Sequence, residues 1–223
     1  MKKAVVLLSG GMDSAVTLYI AKQDYSCHAL IFDYGQKAFK EIGCASKIAE
    51  VSGSPFQVLR ISLPWKGSAL LDRSIDVPAG DVSGGGKIPA TYVPARNIIF
   101  LSYAISFAEA MGAETVFIGA QQVDFSNYPD CRSSFFESFQ EAIRLGTKEG
   151  MEGGGIRIST PVINKTKREI IETGIMLGVP FEHTWSCYRG DMAPCGSCES
   201  CVFRAKAFAE TGVPDPLLDG AWR

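Results

Sequence analysis

A doubly wound, mainly parallel α/β sheet is the fold class predicted by three features of the chain. Apolar runs alternate with stretches of helical periodicity as β-α-β-α-β over the first sixty or so residues, which implies parallel strands joined by right-handed crossovers. The first apolar run, Ala4 to Leu8, stops at Ser9-Gly10-Gly11, as a buried strand feeding a tight turn does. The chain has 223 residues, 46% of them hydrophobic, and a mean hydropathy of +0.09. That is enough for one full core but argues against a second domain, so residues 1–223 are expected to form one unit with a small C-terminal appendage from about 184.

Taken in order, Ser14 to Ala21 places Ala15, Val16, Leu18 and Ile20 at mixed three and four spacing, a helix packed on a sheet. His28 to Tyr34 reads as the second strand and Lys37 to Ser52 as a helix with Phe39, Ile42, Ala45, Ile48 and Ala49 inward. Gly53 ends it, and Phe56 to Ile61 is the third strand. Residues 62–95, with four prolines and the run Gly84-Gly85-Gly86, are expected to be a mobile loop over the site. Arg96 to Met111 is apolar nearly all round and predicts a buried central helix closed by Gly112. Thr115 to Ala120 is a fourth strand, followed by a polar segment to Arg132. Next comes a helix with Phe135, Phe136, Phe139, Ala142 and Ile143 toward the core. A second glycine run, 153–155, precedes a strand from Ile156 to Thr160. Thr166 to Leu177 is a helix ended by Gly178.

Lys plus Arg number 22 and Asp plus Glu 24, a net charge of −2 that gives no reason to expect a large nucleic acid as partner. Only five apolar residues follow Met1-Lys2-Lys3 before the glycines, too few for a signal-peptide core, and no run is long enough for a membrane span. A cytoplasmic protein is therefore expected. Seven cysteines, an odd number with four clustered between 187 and 201, point to metal in a reducing compartment rather than to disulfides.

The turn Leu8-Ser9-Gly10-Gly11-Met12-Asp13-Ser14 has the parts of an anion cradle. Its two glycines allow close backbone approach, and the first N–H groups of the following helix lack internal partners. Ser9 and Ser14 add hydroxyls, and Asp13 is placed to cap the helix and also to hold a magnesium ion on phosphates. The Walker pattern is absent, since this turn is shorter and has no lysine; Gly86-Lys87 lacks the earlier glycine. Asp33, Tyr34, Gly35 and Gln36 fall at the carboxyl end of the second strand, beside this turn, where ligands of such sheets bind.

Cys187, Cys195, Cys198 and Cys201 follow the form Cys-x7-Cys-x2-Cys-x2-Cys. Four thiolates suit a tetrahedral zinc ion and leave no position for an activated water, so the site is expected to be structural. An iron–sulfur cluster uses the same ligands, and spacing alone does not separate the two. Cys27, Cys44 and Cys131 read as small core residues. His28 and His183 are isolated and read as structural.

Ser-Gly-Gly-x-Asp-Ser after a first strand resembles the PP-loop of the ATP pyrophosphatases, with their adenine-nucleotide alpha-hydrolase-like fold. Further stretches narrow the likeness: Phe32 to Gln36, Val93 to Asn97, Asp124 to Arg132, Thr160-Pro161 with Lys167 and Glu169, and the four cysteines. Together they resemble the 7-cyano-7-deazaguanine synthase (QueC/ExsB) family of queuosine biosynthesis along essentially the whole chain. One departure is Ala38, where that family commonly has histidine.

The resemblance implies a ligase that converts 7-carboxy-7-deazaguanine, ammonia and ATP to the nitrile, through an adenylated carboxylate and an amide. It implies ATP and Mg²⁺ on Leu8 to Ser14 with Asp33, Tyr34 and Gln36, and one structural Zn²⁺ on the cysteines. Asp13, Arg96 and Lys167 become candidate catalytic residues. Asn97, Asp124, Tyr128, Asp130 and Arg132 become candidates for the substrate, the aspartates for the N–H edge of its guanine-like ring. Expected partners are small molecules, free or delivered ammonia, and a second copy in a homodimer. Rival readings are a tRNA thiolase of the same superfamily and a nucleotide-binding protein without turnover.

Overall fold

The computed structural model describes residues 1–80, 88–123, 128–190 and 192–219. Five strands, β1 (Lys2–Leu7), β2 (Tyr25–Asp33), β3 (Phe56–Arg60), β4 (Thr115–Ile118) and β5 (Arg157–Ser159), form one parallel sheet in the order β3-β2-β1-β4-β5. In β1, side chains alternate between two cores because successive Cβ atoms leave opposite faces of a strand. Ala4, Val6 and Leu8 pack with helices α1 (Met12–Ala21), α2 (Lys40–Val51), α6 (Lys167–Leu177) and α7 (Glu199–Thr211). Val5 and Leu7 pack with α3 (Arg96–Met111) and α4 (Ser133–Gly146). The remaining helices, α5 (Lys148–Met151) and α8 (Pro216–Asp219), are single turns.

The chain winds outward from β1 in one direction through β2 and β3, and from β4 in the other to β5. Strand order therefore reverses between β1 and β4, and the crevice at their carboxyl ends is where ligands of such sheets bind. Register places Leu7 opposite both Leu30 and Ile118, so β1 and β4 end level at that crevice while β2 runs three residues further, to Asp33.

Several sequence-based expectations need correction. Helix α1 starts at Met12, two residues before the periodicity begins, and its N-cap is Gly11, with no side-chain cap. Asp13 therefore does not cap the helix. Helix α2 begins at Lys40, and Phe39 is 60% exposed rather than inward. Before this helix, the Gln36 side chain accepts from Tyr34 N and donates to Phe32 O, holding residues 34–36 in a turn, and Phe39 N donates to Lys37 O. Helix α3 is not buried all round: Leu101, Ala104, Ile105 and Ala108 face the core, while Ile98 and Tyr103 are 41% and 47% exposed. Residues 62–80 and 88–95 contain no helix or strand, yet Ala69, Leu70, Val77 and Val93 are buried and Ala69 N donates to Ala90 O at 2.7 Å. This stretch is a packed wall; the run Gly84 to Gly86 lies outside the described residues. Helices α5 and α7 were not expected at all.

Candidate active site

The phosphate-type turn forms because two glycines let it. Gly10 has φ +87°, and a Cβ there would stand 2.4 Å from the Glu41 carbonyl oxygen, so the turn lies directly against the first turn of α2. Ser9 Oγ bonds Ser14 Oγ at 3.0 Å and accepts from Gly11 N at 3.3 Å; Ser14 Oγ donates to Gly11 O at 2.9 Å. These bonds close the loop on itself and leave the N–H groups at the start of α1 aimed at the crevice.

Asp13, in the first turn of α1, is ion-paired through Oδ2 with Lys167 at the start of α6. Its Oδ1 is buried and has no hydrogen-bond partner among the described residues. Lys167 reaches this place because Thr166 and Glu169 form a capping box that fixes the helix start. Glu169 is thus occupied by capping and does not pair with Lys167. Gly119, just past β4, went unremarked in the sequence. A Cβ there would stand 2.8 Å from the Asp13 carbonyl and Ser14 N, so only glycine lets β4 end against the turn. Its position right after an apolar run was the one available signal.

From this turn a cavity of about 280 Å³ extends beneath α2 and α3. Leu8, Ser9, Gly11, Met12, Asp13, Ser14, Tyr34, Gln36, Arg96, Asn97, Tyr128 and Lys167 all line it, as do two residues the sequence did not single out, Glu41 and Tyr188. Arg96 donates to Tyr34 Oη at 3.3 Å, and Tyr128 Oη is 2.6 Å from Thr91 Oγ1. Ala95, just before α3, has φ +55°, a left-handed conformation that costs a non-glycine residue roughly 1 kcal/mol. Its N–H donates to Tyr92 Oη. Burial pushes the Tyr34, Tyr128 and Tyr188 hydroxyls up and the Cys131 thiol up to about 11. Burial also pushes the Glu41 carboxyl up to about 8, against an opposing pull from Arg96.

Other candidates stand elsewhere. Asp33 points away, toward a separate hollow, where it meets Arg60 at 3.5 Å. Asp130 is buried as an acceptor for Asn97 N at 3.1 Å, and Asn97 Nδ2 donates to its carbonyl at 2.9 Å, so its carboxylate anchors α3 rather than lining the cavity. Arg132 is exposed at the N-cap of α4 and does not line the cavity. Gly10 lies behind the turn, and Asp124 lies outside the described residues. Neither histidine reaches the cavity; His28 packs edge-on against Phe107.

Cys187, Cys195, Cys198 and Cys201 hold their sulfur atoms within 4.8 Å of one another, with one pair at 3.9 Å. Four thiolates on a zinc ion at ~2.3 Å would stand about 3.8 Å apart, so the set fits a tetrahedral ion. Gly196, at φ +69°, turns the knuckle, and backbone N–H groups of Cys195 and Cys198 donate to Cys187 and Cys195 sulfur atoms. Hydrogen bonding among the packed thiols lowers Cys198 and raises Cys187 and Cys201, so without an ion they share protons; a metal would take all four as thiolates. None of the four lines the cavity.

The family model for "Queuosine biosynthesis protein QueC" matches residues 3–212. The chain belongs to the QueC family. It is 51% identical to the 7-cyano-7-deazaguanine synthase of Nostoc punctiforme over 97% of this chain and 99% of that protein. Likeness to the synthase of Trichodesmium erythraeum is 49%, over 97% of this chain and all of that one. For Clostridium kluyveri it is 50%, over 97% of each. Viewed on the QueC match, the segments Phe32–Gln36, Val93–Asn97 and Tyr128–Arg132 come from distant parts of the chain and converge on one cavity through Phe32, Tyr34, Gln36, Arg96, Asn97, Tyr128 and Cys131. The departure at Ala38 falls inside it, since Ala38 is buried in the cavity wall.

Proposed function

We propose that the chain uses ATP and ammonia to convert 7-carboxy-7-deazaguanine to 7-cyano-7-deazaguanine, the product for which its relatives are named. Asp13 carries this reading: at the mouth of a phosphate-type turn it has one oxygen on Lys167 and the other buried without a donor. An orphaned carboxylate oxygen beside an anion cradle fits a magnesium ion held with the ATP phosphates, and such an ion would spread the charge of the leaving pyrophosphate.

A carboxylate is a poor electrophile because its charge is delocalised and its oxygen leaves badly; adenylation removes both defects. In the proposed mechanism the turn from Ser9 to Ser14 binds the phosphates through helix N–H groups, and Lys167 adds a cation there. Arg96, fixed against Tyr34, is placed for the substrate carboxylate. Attack by ammonia gives an amide, and a second activation at the same site removes the second oxygen.

The cysteine set we read as a structural zinc site, supported by four thiols, no open position and no contact with the cavity. Its free thiols fit a reducing, cytoplasmic setting. Among the described residues no helix is long and apolar enough to cross a membrane. A homodimer is supported by exposed apolar groups, Ile98 and Tyr103 on α3 and Phe56 and Val58 on the edge strand β3. The test is the product mass from protein, ATP, Mg²⁺, ammonia and the acid: a nitrile, with the amide trapped on the way and two nucleotides consumed per nitrile. Sulfur transfer to tRNA with no nitrile would replace this reading by thiolation.

A further inference from the structure

Both nitrogen steps of the proposed reaction release a proton, and the residues described so far provide no acceptor for it. Among the described residues lining the cavity, Asp13 has one oxygen paired with Lys167 and the other reserved in the proposed mechanism for a magnesium ion, Lys167 is a cation, and Arg204 is bound to Asp215. Arg96 is a permanent cation. Tyr34, Tyr128, Tyr188 and Cys131 all have their proton loss pushed upward by burial. No histidine lines the cavity. Glu41 remains. It stands in the first turn of α2, its backbone carbonyl pressed against Gly10 of the phosphate turn. Its carboxylate has neither hydrogen bond nor ion pair among the described residues.

We propose that Glu41 is the general base that removes protons from the substrate nitrogen in both the amide-forming and the nitrile-forming step. This rests on the acid-to-nitrile reading above. In the first step ammonia's lone pair forms the C–N bond to the adenylated carboxyl carbon. Glu41 takes a proton from the resulting ammonium nitrogen, and the C–O bond breaks with its electron pair leaving on AMP. In the second step the amide oxygen has been adenylated. Adenylation leaves a cation whose nitrogen is still NH2; Glu41 takes one of its protons to give the neutral imidate and passes it to solvent. Glu41 then takes the remaining N–H proton, that electron pair becoming the third C–N bond as the C–O bond breaks and AMP leaves. Each proton then passes to solvent, restoring the carboxylate.

Charge around Glu41 supports the role. Arg96 faces it from α3 and favours the carboxylate, while Tyr34, Tyr188 and, on its own helix, Cys44 surround it with neutral groups; Lys40 precedes it in α2. Burial outweighs Arg96, so the carboxyl titrates at about 8, close to where a base for nitrogen protons works best.

The experiment separates activation from nitrogen chemistry. Exchange of labelled pyrophosphate into ATP, run with Mg²⁺ and the deazaguanine acid but no ammonia, reports adenylation; nitrile mass reports the whole reaction. Glu41→Gln is expected to keep exchange within about threefold and to lose nitrile formation by on the order of 10²-fold or more. At constant free ammonia, kcat/KM of the unaltered protein is expected to rise with pH up to about 8 and then level, and that rise should vanish in the variant. A nitrile rate within threefold of normal in Glu41→Gln, exchange lost in parallel with nitrile, or a flat profile in the unaltered protein would each overturn the assignment. Absence of both exchange and nitrile in the unaltered protein would overturn the parent reading, and the role of Glu41 with it.

Discussion

The backbone N–H of Trp185 donates to the carbonyl of Gly10 at 2.8 Å, so the segment that carries the cysteines is hydrogen-bonded to the phosphate turn. Trp185 is 1% exposed and packs with Cys187, Cys198 and Cys201, and its indole N–H donates to Cys187 O at 2.9 Å. The C-terminal segment is therefore part of the wall of the site.

Stripping metal from the cysteines should act on both regions at once. Chelation, or Cys198→Ser, is expected to lower Tm by more than about 10 °C, since 1 kcal/mol moves a domain of this size by roughly 2–4 °C and structural metal contributes several. Trp185 fluorescence should shift to the red and ATP affinity should fall in the same titration. Normal ATP binding in the stripped protein would show that the two regions are uncoupled.

Asp13→Ala is expected to separate function from folding. Removing a group that acts on the developing phosphate charge should reduce nitrile formation on the order of 10²- to 10³-fold. The lost pair with Lys167 is partly exposed, so stability should fall by only about 1 kcal/mol. Product rate and urea unfolding, measured on the same preparation, check the two halves.

Much of this was legible in the sequence where one local rule decided the outcome. The glycine turn after Leu8, the helix end at Gly178 and the cysteine spacing each follow from nearest-neighbour chemistry; the structure has the turn at the sheet's crevice, ends α6 with Gly178 in a left-handed conformation and gathers the four thiols within 4.8 Å. Residues whose roles depend on distant partners were not legible. Asp130 looked like a ligand group but is taken up by Asn97, thirty-three positions away. Glu41 carries no local signal, since Gly10, Arg96 and Tyr188 reach it only in the folded chain. Gly119 is an ordinary strand-ending glycine until the start of α1 is brought against it.

Gly119→Ala tests that contact. The added methyl would overlap the Asp13 carbonyl and Ser14 N at 2.8 Å, both backbone atoms that cannot swing aside. A cost of about 1–3 kcal/mol in stability is expected from such overpacking. Nucleotide affinity should fall at least about tenfold, because the displaced atoms belong to the phosphate turn itself. Calorimetric titration with ATP would detect it; unchanged affinity would mean that the turn relaxes without losing its grip.

Glu41 also gives stability a pH dependence. Its folded carboxyl titrates at about 8, above the ordinary carboxylate range, so between roughly pH 4.5 and 8 the folded state holds a proton that the unfolded chain has released. Its contribution to stability therefore falls as pH rises through that window. Glu41→Gln, which keeps the neutral form at every pH, is expected to unfold at higher urea than the unaltered protein at pH 8.5 and nearly with it at pH 5. A gap that does not widen with pH would mean that the carboxyl titrates normally.

The last relationship lies where α7 meets the chain end. Arg204 and Asp215 are 4% and 6% exposed and joined by two bonds, Nε to Oδ2 at 2.6 Å and Nη2 to Oδ1 at 2.7 Å. The remaining donors of Arg204 reach Thr184 Oγ1, Ser186 Oγ and Phe181 O, on both sides of Trp185. One guanidinium thus ties the segment at Asp215, the helix that carries Cys201 and the stretch of chain that bonds Gly10. Asp215→Ala would leave that cation buried without a counter-charge, which costs about 3–5 kcal/mol. Replacing both partners by apolar residues of similar volume removes the buried charge as well as its partner, and such swaps are often neutral. Arg204→Met with Asp215→Leu is therefore expected to be more stable in urea than Asp215→Ala alone. If the double variant is the weaker of the two, the hydrogen bonds of Arg204 to Thr184 and Phe181, rather than its charge pairing, are what hold the segment in place.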